Sequence, residues 1–410
     1  MRYGVGVDVS KGKSTIAIID ENMVLQVKVF EVEHNLKDMP KLIEILEKYG
    51  GKENVKIGME ETGNYHLPIY KYLKKKGYET GKDNALKVKK YLDREIRKSK
   101  TDKKDARKLG EYVIENWNKI KTKEEEDEVY IKLRFLSRQY VGKMSVQKEL
   151  KVELSNLCDL VFPGYYGIID SDNIEVALDL LKMFYHSDIA KEMTEEEITK
   201  KIEDAYENKP HKKMAKNFGK KMHALSQICI PVYEVSDQIR LAVESTVDCL
   251  KEVMKATNNI IAEMGEIARE LPEFKEIIKM PGIGEKLASR LIAEIGDPKR
   301  FKNAGSIIAY AGIDSPAYQS GNKNVKGIRI SKRGNKYLRQ VGYEIMMSIK
   351  KLKGKTREGH LIYEYMVKKE NEGKCKKSAK IAGFNKLLRM YYGMIKRVYK
   401  EEIESKRRVA

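Results

Sequence analysis

Residues 2–20 read RYGVGVDVSKGKSTIAIID, and this stretch decides how the N-terminal third of the chain folds. An apolar run that tolerates Gly leads into a polar turn at Ser10-Lys11-Gly12-Lys13, and a second β-rich run follows from Ser14 to Ile19. The pattern predicts a hairpin. Asp8 stands at the end of the first strand, where Val and Gly neighbours bury the backbone and leave the carboxylate at the rim, placed to hold a cation.

The following text extends the sheet. Met23 to Val32 predicts a third strand, and Leu36 to Tyr49 carries apolar residues at helical spacing. Val55 to Glu60 predicts a fourth strand ending in acids, Tyr65 to Lys76 a helix, and a short fifth strand lies near Tyr78. Three strands in hairpin order followed by alternating helix and strand is the layout of an RNase H-like sheet, in which strand four lies beside strand one. Glu60 and Asp8 then converge at one rim.

The segment KSKTDKKDAR, residues 98–107, adds two more acids. Asp102 and Asp105 are three apart at the start of a helix running towards Asn116, so they share a face, and Leu109 and Tyr112 continue that stripe against the sheet. Both acids are expected to face inward. Carboxylates ~6 Å apart repel by about 3 kcal/mol per pair at an effective dielectric of ~20. Such a cluster needs a counter-ion, and all-oxygen ligation suits Mg2+ or Mn2+ better than zinc. Singly, Asp102 also reads as an N-cap and Asp105 as a favourable first-turn acid. The Asp8 hairpin is also similar to the phosphate loop of sugar kinases and actin-like ATPases, although the Gly-rich adenosine loops of such chains are not evident.

Composition sets the class of partner. The 410 residues suffice for two or three domains, and a net charge of +20 with 41% hydrophobic residues describes a folded chain that attracts polyanions, nucleic acid first. Cys158, Cys229, Cys249 and Cys375 form no CxxC pair, which argues against structural zinc or a disulfide scaffold and suits core thiols in a reducing cytoplasm. Neither a membrane-spanning apolar stretch nor a signal-peptide layout is present, so the expected location is cytoplasmic.

Past residue 121 the text turns helical. KTKEEEDE is a charge run that reads as a solvated connection or helix start; Val129 to Leu160 and Val232 to Glu270 read as two long helices around a smaller helical insert with a basic segment at Lys209 to Lys221. This predicts an antiparallel coiled-coil arm over 121–270 serving dimerisation or, alternatively, clamping nucleic acid.

IIKMPGIGEKLASRLIAEIG, residues 277–296, places Gly282 and Gly284 in a tight turn before an apolar helix. This is a helix-hairpin-helix pattern, whose backbone N–H groups can receive a DNA phosphate without reading bases. Then YAGIDSPAYQSGNKNVKGIRISKRGNKYLRQ is rich in Gly and in bases, with Lys323, Lys326, Arg329, Lys332 and Arg333 close to Ser320. A nearby His is missing, which excludes a hydrolase triad; a serine could still attack a phosphodiester whose charge is neutralised by metal ions. The last sixty residues hold 18 Lys+Arg against 7 Asp+Glu, with apolar positions from Ile381 to Ile395 at helical spacing, a basic amphipathic helix.

GVDVSKGKS with Asp8, EETGNY with Glu60 and KTDKKDA with Asp102 and Asp105 resemble the DEDD signature of the insertion sequence 110 family of transposases, the bridge-RNA-guided recombinases. AYAGIDSPAYQSG followed by RISKRGNKYLR resembles that family's second domain. The resemblance implies a RuvC-like, Mg2+-dependent site built from the four acids, with Ser320 as the nucleophile that forms a phosphoserine with DNA and Ser315 and Ser331 as bystanders. It also implies a homo-oligomer acting on donor and target DNA under a structured guide RNA. The expected division is a RuvC-like domain at 1–120, the arm at 121–270, a mainly α transposase domain at 271–350 and a basic helical tail at 351–410. Two other readings stay open: a RuvC-like endonuclease that uses water as nucleophile, and a non-catalytic nucleic-acid-binding scaffold.

Overall fold

The computed structural model describes residues 1–60, 63–83, 91, 101–120, 126–168, 174–205, 212–315, 319–320, 323–324, 329–356, 358 and 360–409. The chain divides into two compact units, Met1–Glu125 and Glu126–Ala410.

In the first unit, β1 (Tyr3–Val9) and β2 (Lys13–Asp20) form the antiparallel hairpin expected from the opening stretch. Strand β3 (Phe30–Glu33) joins β2 antiparallel, while β4 (Val55–Glu60) and β5 (Glu79–Asp83) run parallel to β1, giving the order β3-β2-β1-β4-β5. Among the described residues, helices α1 (Met39–Lys48), the short α2 (Gly51–Asn54), α3 (Leu67–Lys75) and α4 (Asp102–Glu115) accompany the strands. The third strand is shorter than the expected Met23–Val32. The Asp20 carboxylate instead accepts the N–H groups of Asn22 and Val24, both at 2.9 Å, and Met23 takes a left-handed φ of 65°, so the chain turns before it pairs.

Residues of a strand point alternately to the two faces of a sheet. Val5, Val7 and Val9 of β1 bury one face with Ile16 and Ile18 against Met39, Leu42 and Leu46 of α1 and Ile69 and Leu73 of α3. The even positions of β1 turn to the other face, where α4 lies.

The second unit is helical. Helices α5 (Glu128–Val161) and α10 (Asp237–Arg269) are 34 and 33 residues long. They pack antiparallel: Tyr130 and Leu133 share a core with Met264 and Ala268, while Leu154 and Cys158 share another with Val243, Val247 and Leu250. That far core is completed by a cap of α6 (Ile174–Met183), α7 (Ser187–Lys191), α8 (Glu195–Ala205) and α9 (Lys212–Ser226), with Phe162 and Tyr165 at its centre. Helix α10 begins at Asp237 rather than at Val232, because Pro231 lies just ahead and Ser236 supplies the N-cap, its hydroxyl accepting Ile239 N–H.

The near core joins the base of both long helices to α11 (Pro272–Ile277), α12 (Glu285–Ile295), α13 (Ala304–Ala311), α14 (Lys336–Lys350), α15 (Leu361–Asn371) and α16 (Lys376–Val409). The two-residue strands β6 (Gln319–Ser320) and β7 (Lys323–Asn324) form a small hairpin between α13 and α14. Buried charged residues pin this core, Arg290 and Glu273 among them. Arg290 of α12, 1% exposed, binds Glu344 of α14 and stacks 4.8 Å from the Tyr140 ring centroid of α5. Glu273 of α11, fully buried, accepts the hydroxyls of Tyr130 at 2.5 Å and Tyr399 at 2.9 Å. Of the four cysteines only Cys158 is buried; Cys249 and Cys375 are exposed, so the expectation of core thiols fails for those two. Among the described residues no helix is long and apolar enough to cross a membrane.

Candidate active site

Helix α4 is seated on backbone. A Cβ at Gly4 would stand 2.5 Å from the carbonyl oxygen of Gly110 and 2.8 Å from Ile114 Cγ1; one at Gly6 would run into Ala106 O and Gly110 N. Gly58 of β4 likewise lies under Val113, and a Cβ at Gly110 would stand 2.7 Å from Ile19 Cγ1. Only glycines permit so close an approach of helix to sheet.

These contacts set the helix direction and hence the place of its acids. Advancing two residues along β1, from Gly4 to Gly6, moves the facing position four residues back along α4, from 110–114 to 106–110. The lengths agree: about 6.6 Å for two strand residues and about 6 Å for four helical ones. The helix therefore runs antiparallel to β1, and one more step sets Asp8, on the same face as Gly4 and Gly6, against the first turn of α4. Asp102 and Asp105 occupy that turn.

Glu60 reaches the same rim through sheet register. Tyr3 pairs with Val55 and Val7 with Met59, so the next positions, Asp8 and Glu60, stand side by side at the ends of adjacent parallel strands, about 4.8 Å apart along the backbone. Both are half-buried. Asp83 stands level with Glu60 on β5, an acid that the sequence reading passed over although it too closes a strand.

The two helical acids differ in their surroundings. Asp105 is buried together with Leu109 and Tyr112, as the stripe predicts, whereas Asp102 is exposed, which corrects the expectation that both face inward. Asp102 is the first helical residue, and the N-cap is Thr101, whose hydroxyl accepts Lys104 N–H at 3.3 Å. Acids in a first turn also meet the positive end of the helix dipole.

A cation that the sequence reading did not single out borders the acids. Lys13 binds Glu31 at 2.8 Å, and that hydrogen bond and charge, with Asp102 adding to them, hold its ammonium above the ordinary lysine range. Lys13 and Thr15 lie on the acid face of β2, Thr15 paired with Asp8. Their signal was parity: every second residue from Lys13 to Ile19 shares the face of Asp8.

A carboxylate-only donor set fits a hard, oxygen-seeking divalent ion. Among the described residues, no three Asp, Glu, His or Cys side chains are drawn close enough to cage one.

The serine lies in the second unit. Ser320 pairs with Lys323 across the β6–β7 hairpin; the side chains of both, and all of Lys326, lie outside the described residues. Arg329, Lys332 and Arg333 are exposed. Ser331 is engaged, its hydroxyl donating to Asp314 Oδ1 at 2.6 Å. Gly282 takes φ +85° in the turn after α11, pressed against Ile349 of α14, and Gly284 caps α12 with open space around its α-carbon.

A mixed sheet of this order, with acids at the ends of its first and fourth strands and in the first turn of the helix laid across them, fits an RNase H-like DEDD domain, the fold of a class of transposases. Residues 5–163 match the family model of the IS110-type DEDD transposase, and residues 275–360 match that of the transposase IS116/IS110/IS902 family. Together the matches take in more than half of the chain, which belongs to the IS110 family of transposases. No curated protein matches it. DNA is thereby its substrate class, and strand recombination its activity.

Proposed function

We propose that this transposase cuts and rejoins the DNA of a mobile element through a covalent serine intermediate. The reading is supported by strand register and helix direction, which bring the backbone positions of Asp8, Glu60, Asp102 and Asp105 to one rim. These four residues would hold Mg2+ or Mn2+, which when bound would supply Lewis-acid neutralisation of a scissile phosphate. Ser320 Oγ attacks the phosphorus, an Oγ–P bond forms as the bond to one deoxyribose oxygen breaks, and that oxygen leaves with a proton. The phosphoserine conserves the ester, so attack by a second deoxyribose hydroxyl rejoins DNA without an external energy source.

Acids and serine belong to different units, so the reaction needs both, from one chain or from two copies of a homo-oligomer. The long antiparallel helices, the expected coiled-coil arm, serve subunit pairing. The turn at Gly282 and Gly284, read as a helix-hairpin-helix, and Lys323, Lys326, Arg329, Lys332 and Arg333 hold phosphate, which makes binding fall steeply with salt. A structured guide RNA, implied by the family resemblance, selects donor and target through base pairing.

The test is Ser320→Ala, assayed on a plasmid carrying the element with its native flanking DNA. Loss of a protein–DNA adduct together with loss of strand exchange supports the covalent route. Exchange that persists in this variant refutes it and leaves hydrolysis by water at the acids, a reading favoured by their confinement to one compact unit. Normal recombination in separate Asp8→Asn and Asp102→Asn variants would reduce the chain to a nucleic-acid-binding scaffold.

A further inference from the structure

The described residues just after α13 and just before α14, which flank the β6–β7 hairpin in sequence, form a neck closed by hydrogen bonds. On the outgoing side stand Tyr310, Gly312 and Asp314; on the returning side Ser331, Lys332 and Asn335. Asn335 N–H donates to Tyr310 O at 2.7 Å, Lys332 N–H to Gly312 O at 3.0 Å and Ser331 N–H to Asp314 O at 2.8 Å. Arg339 of α14 crosses from below, donating to Ala311 O at 2.9 Å and Gly334 O at 3.1 Å. The backbones are close enough that a Cβ on Gly334 would stand 2.7 Å from Gly312 N.

One side-chain pair seals the outer end of this ladder. Ser331 Oγ donates to Asp314 Oδ1 at 2.6 Å and accepts Arg333 N–H at 3.3 Å, so a single hydroxyl ties the outgoing strand to both sides of the returning turn. The residue enclosed by that turn, Lys332, adopts a left-handed φ of 52°. A lysine has no preference for that region, and such a conformation persists where surrounding bonds over-determine it, as they do in sites that must hold one geometry.

We infer that Asp314 and Ser331 are positioning residues for strand cleavage: their hydrogen bond fixes the base from which Ser320 is presented to DNA. This rests on the reading of Ser320 as the nucleophile. Asp314 lies six residues before Ser320 and Ser331 eleven after it, so the pair acts through the hairpin's register rather than by touching the phosphate. A hydrogen bond of this kind needs an acceptor oxygen at position 314 and a hydroxyl at 331. It does not need a negative charge.

That distinction makes the test. The full-length chain is assayed on the plasmid with native flanks, reading the rate of adduct formation, DNA retention on a filter and thermal unfolding. Asp314→Ala and Ser331→Ala should each slow adduct formation by about 10²-fold with DNA retention unchanged, as expected for a reacting group misplaced by an ångström. Asp314→Asn and Ser331→Thr, which keep acceptor and hydroxyl, should stay within about threefold of the parent, and the Asp314→Ala/Ser331→Ala double variant should be no slower than either single. Asp314→Asn falling as far as Asp314→Ala while remaining folded overturns the inference, since the charge would then matter. So does an unimpaired Asp314→Ala. Should both alanine variants unfold, the conservative pair still decides: a slow Ser331→Thr with an intact fold also refutes it. Adduct formation persisting in Ser320→Ala overturns the nucleophile assignment and this inference together; loss in Ser320→Ala with an unimpaired Asp314→Ala overturns this inference alone.

Discussion

Replacing Gly6 by Ala should damage both stability and catalysis, because it adds one methyl group where helix α4 rests on strand β1. The added carbon runs into Ala106 O and Gly110 N, both main-chain atoms, and comes within 2.8 Å of Leu109 Cβ. None of these is the free end of a flexible side chain. The helix must back away by roughly 1 Å or more, and overpacking of this kind costs about 1–3 kcal/mol. For a unit of this size, 2 kcal/mol lowers the melting temperature by about 8 °C. The same displacement carries Asp102 and Asp105 away from Asp8 and Glu60, and a misfit of 1 Å in a reacting site costs about 10²-fold in rate. Differential scanning fluorimetry and the strand-exchange assay read the two effects. Gly142→Ala, in α5 with open space around it, is the matched control and should be neutral or slightly stabilising. If Gly6→Ala melts and recombines like that control, the helix does not sit on the strand backbone and the placement of the acids is wrong.

Other consequences follow from buried charge and from the division of the chain. Glu344→Ala strands the buried Arg290 guanidinium and should cost about 3 kcal/mol in urea unfolding. Tyr130→Phe removes a donor from the buried Glu273 carboxylate and should cost about 2 kcal/mol. Burial pushes the Cys158 thiol up to about 12, whereas hydrogen bonding to Ser378 lowers that of exposed Cys375. A maleimide at neutral pH should therefore label Cys375 first and Cys158 only on unfolding. The raised thiol also sets a sign: its contribution is complete below about pH 9, where the unfolded thiol is protonated too, and declines by up to ~1.4 kcal/mol per pH unit as pH rises towards 12. Cys158→Ser should flatten that slope. Finally, if acids and serine meet between subunits, mixing Asp8→Asn with Ser320→Ala chains should restore strand exchange that neither shows alone; if they meet only within one chain, the mixture stays inactive.

Much of the first unit was legible because strand alternation and helical spacing are local. The hairpin, the strand ending at Glu60 and the helix from Asp102 were all readable in this way, and the order β3-β2-β1-β4-β5 followed from them. What the pattern of apolar residues does not carry is the meaning of a missing side chain. Gly4, Gly6 and Gly58 read as strand-tolerant residues, yet they are the surface on which α4 lies, and they fix where Asp102 and Asp105 come to stand. The third strand was overestimated because β-rich composition over 23–32 hid the turn made by the Asp20 carboxylate. In the second unit the two long helices were plain from the scarcity of Gly and Pro. The Asp314–Ser331 tie was not, since it joins residues 17 apart in sequence through one short hydroxyl contact.

The cap at the far end of the long helices has an interior of its own, built from Phe162, Tyr165, Phe184, Phe218 and their neighbours. Among the described residues, its core is shared with the last turns of α5 and the first turns of α10. Such a module behaves as a cartridge: an engineer can shorten it or graft another in its place, while the acid rim and the serine neck keep their own supports.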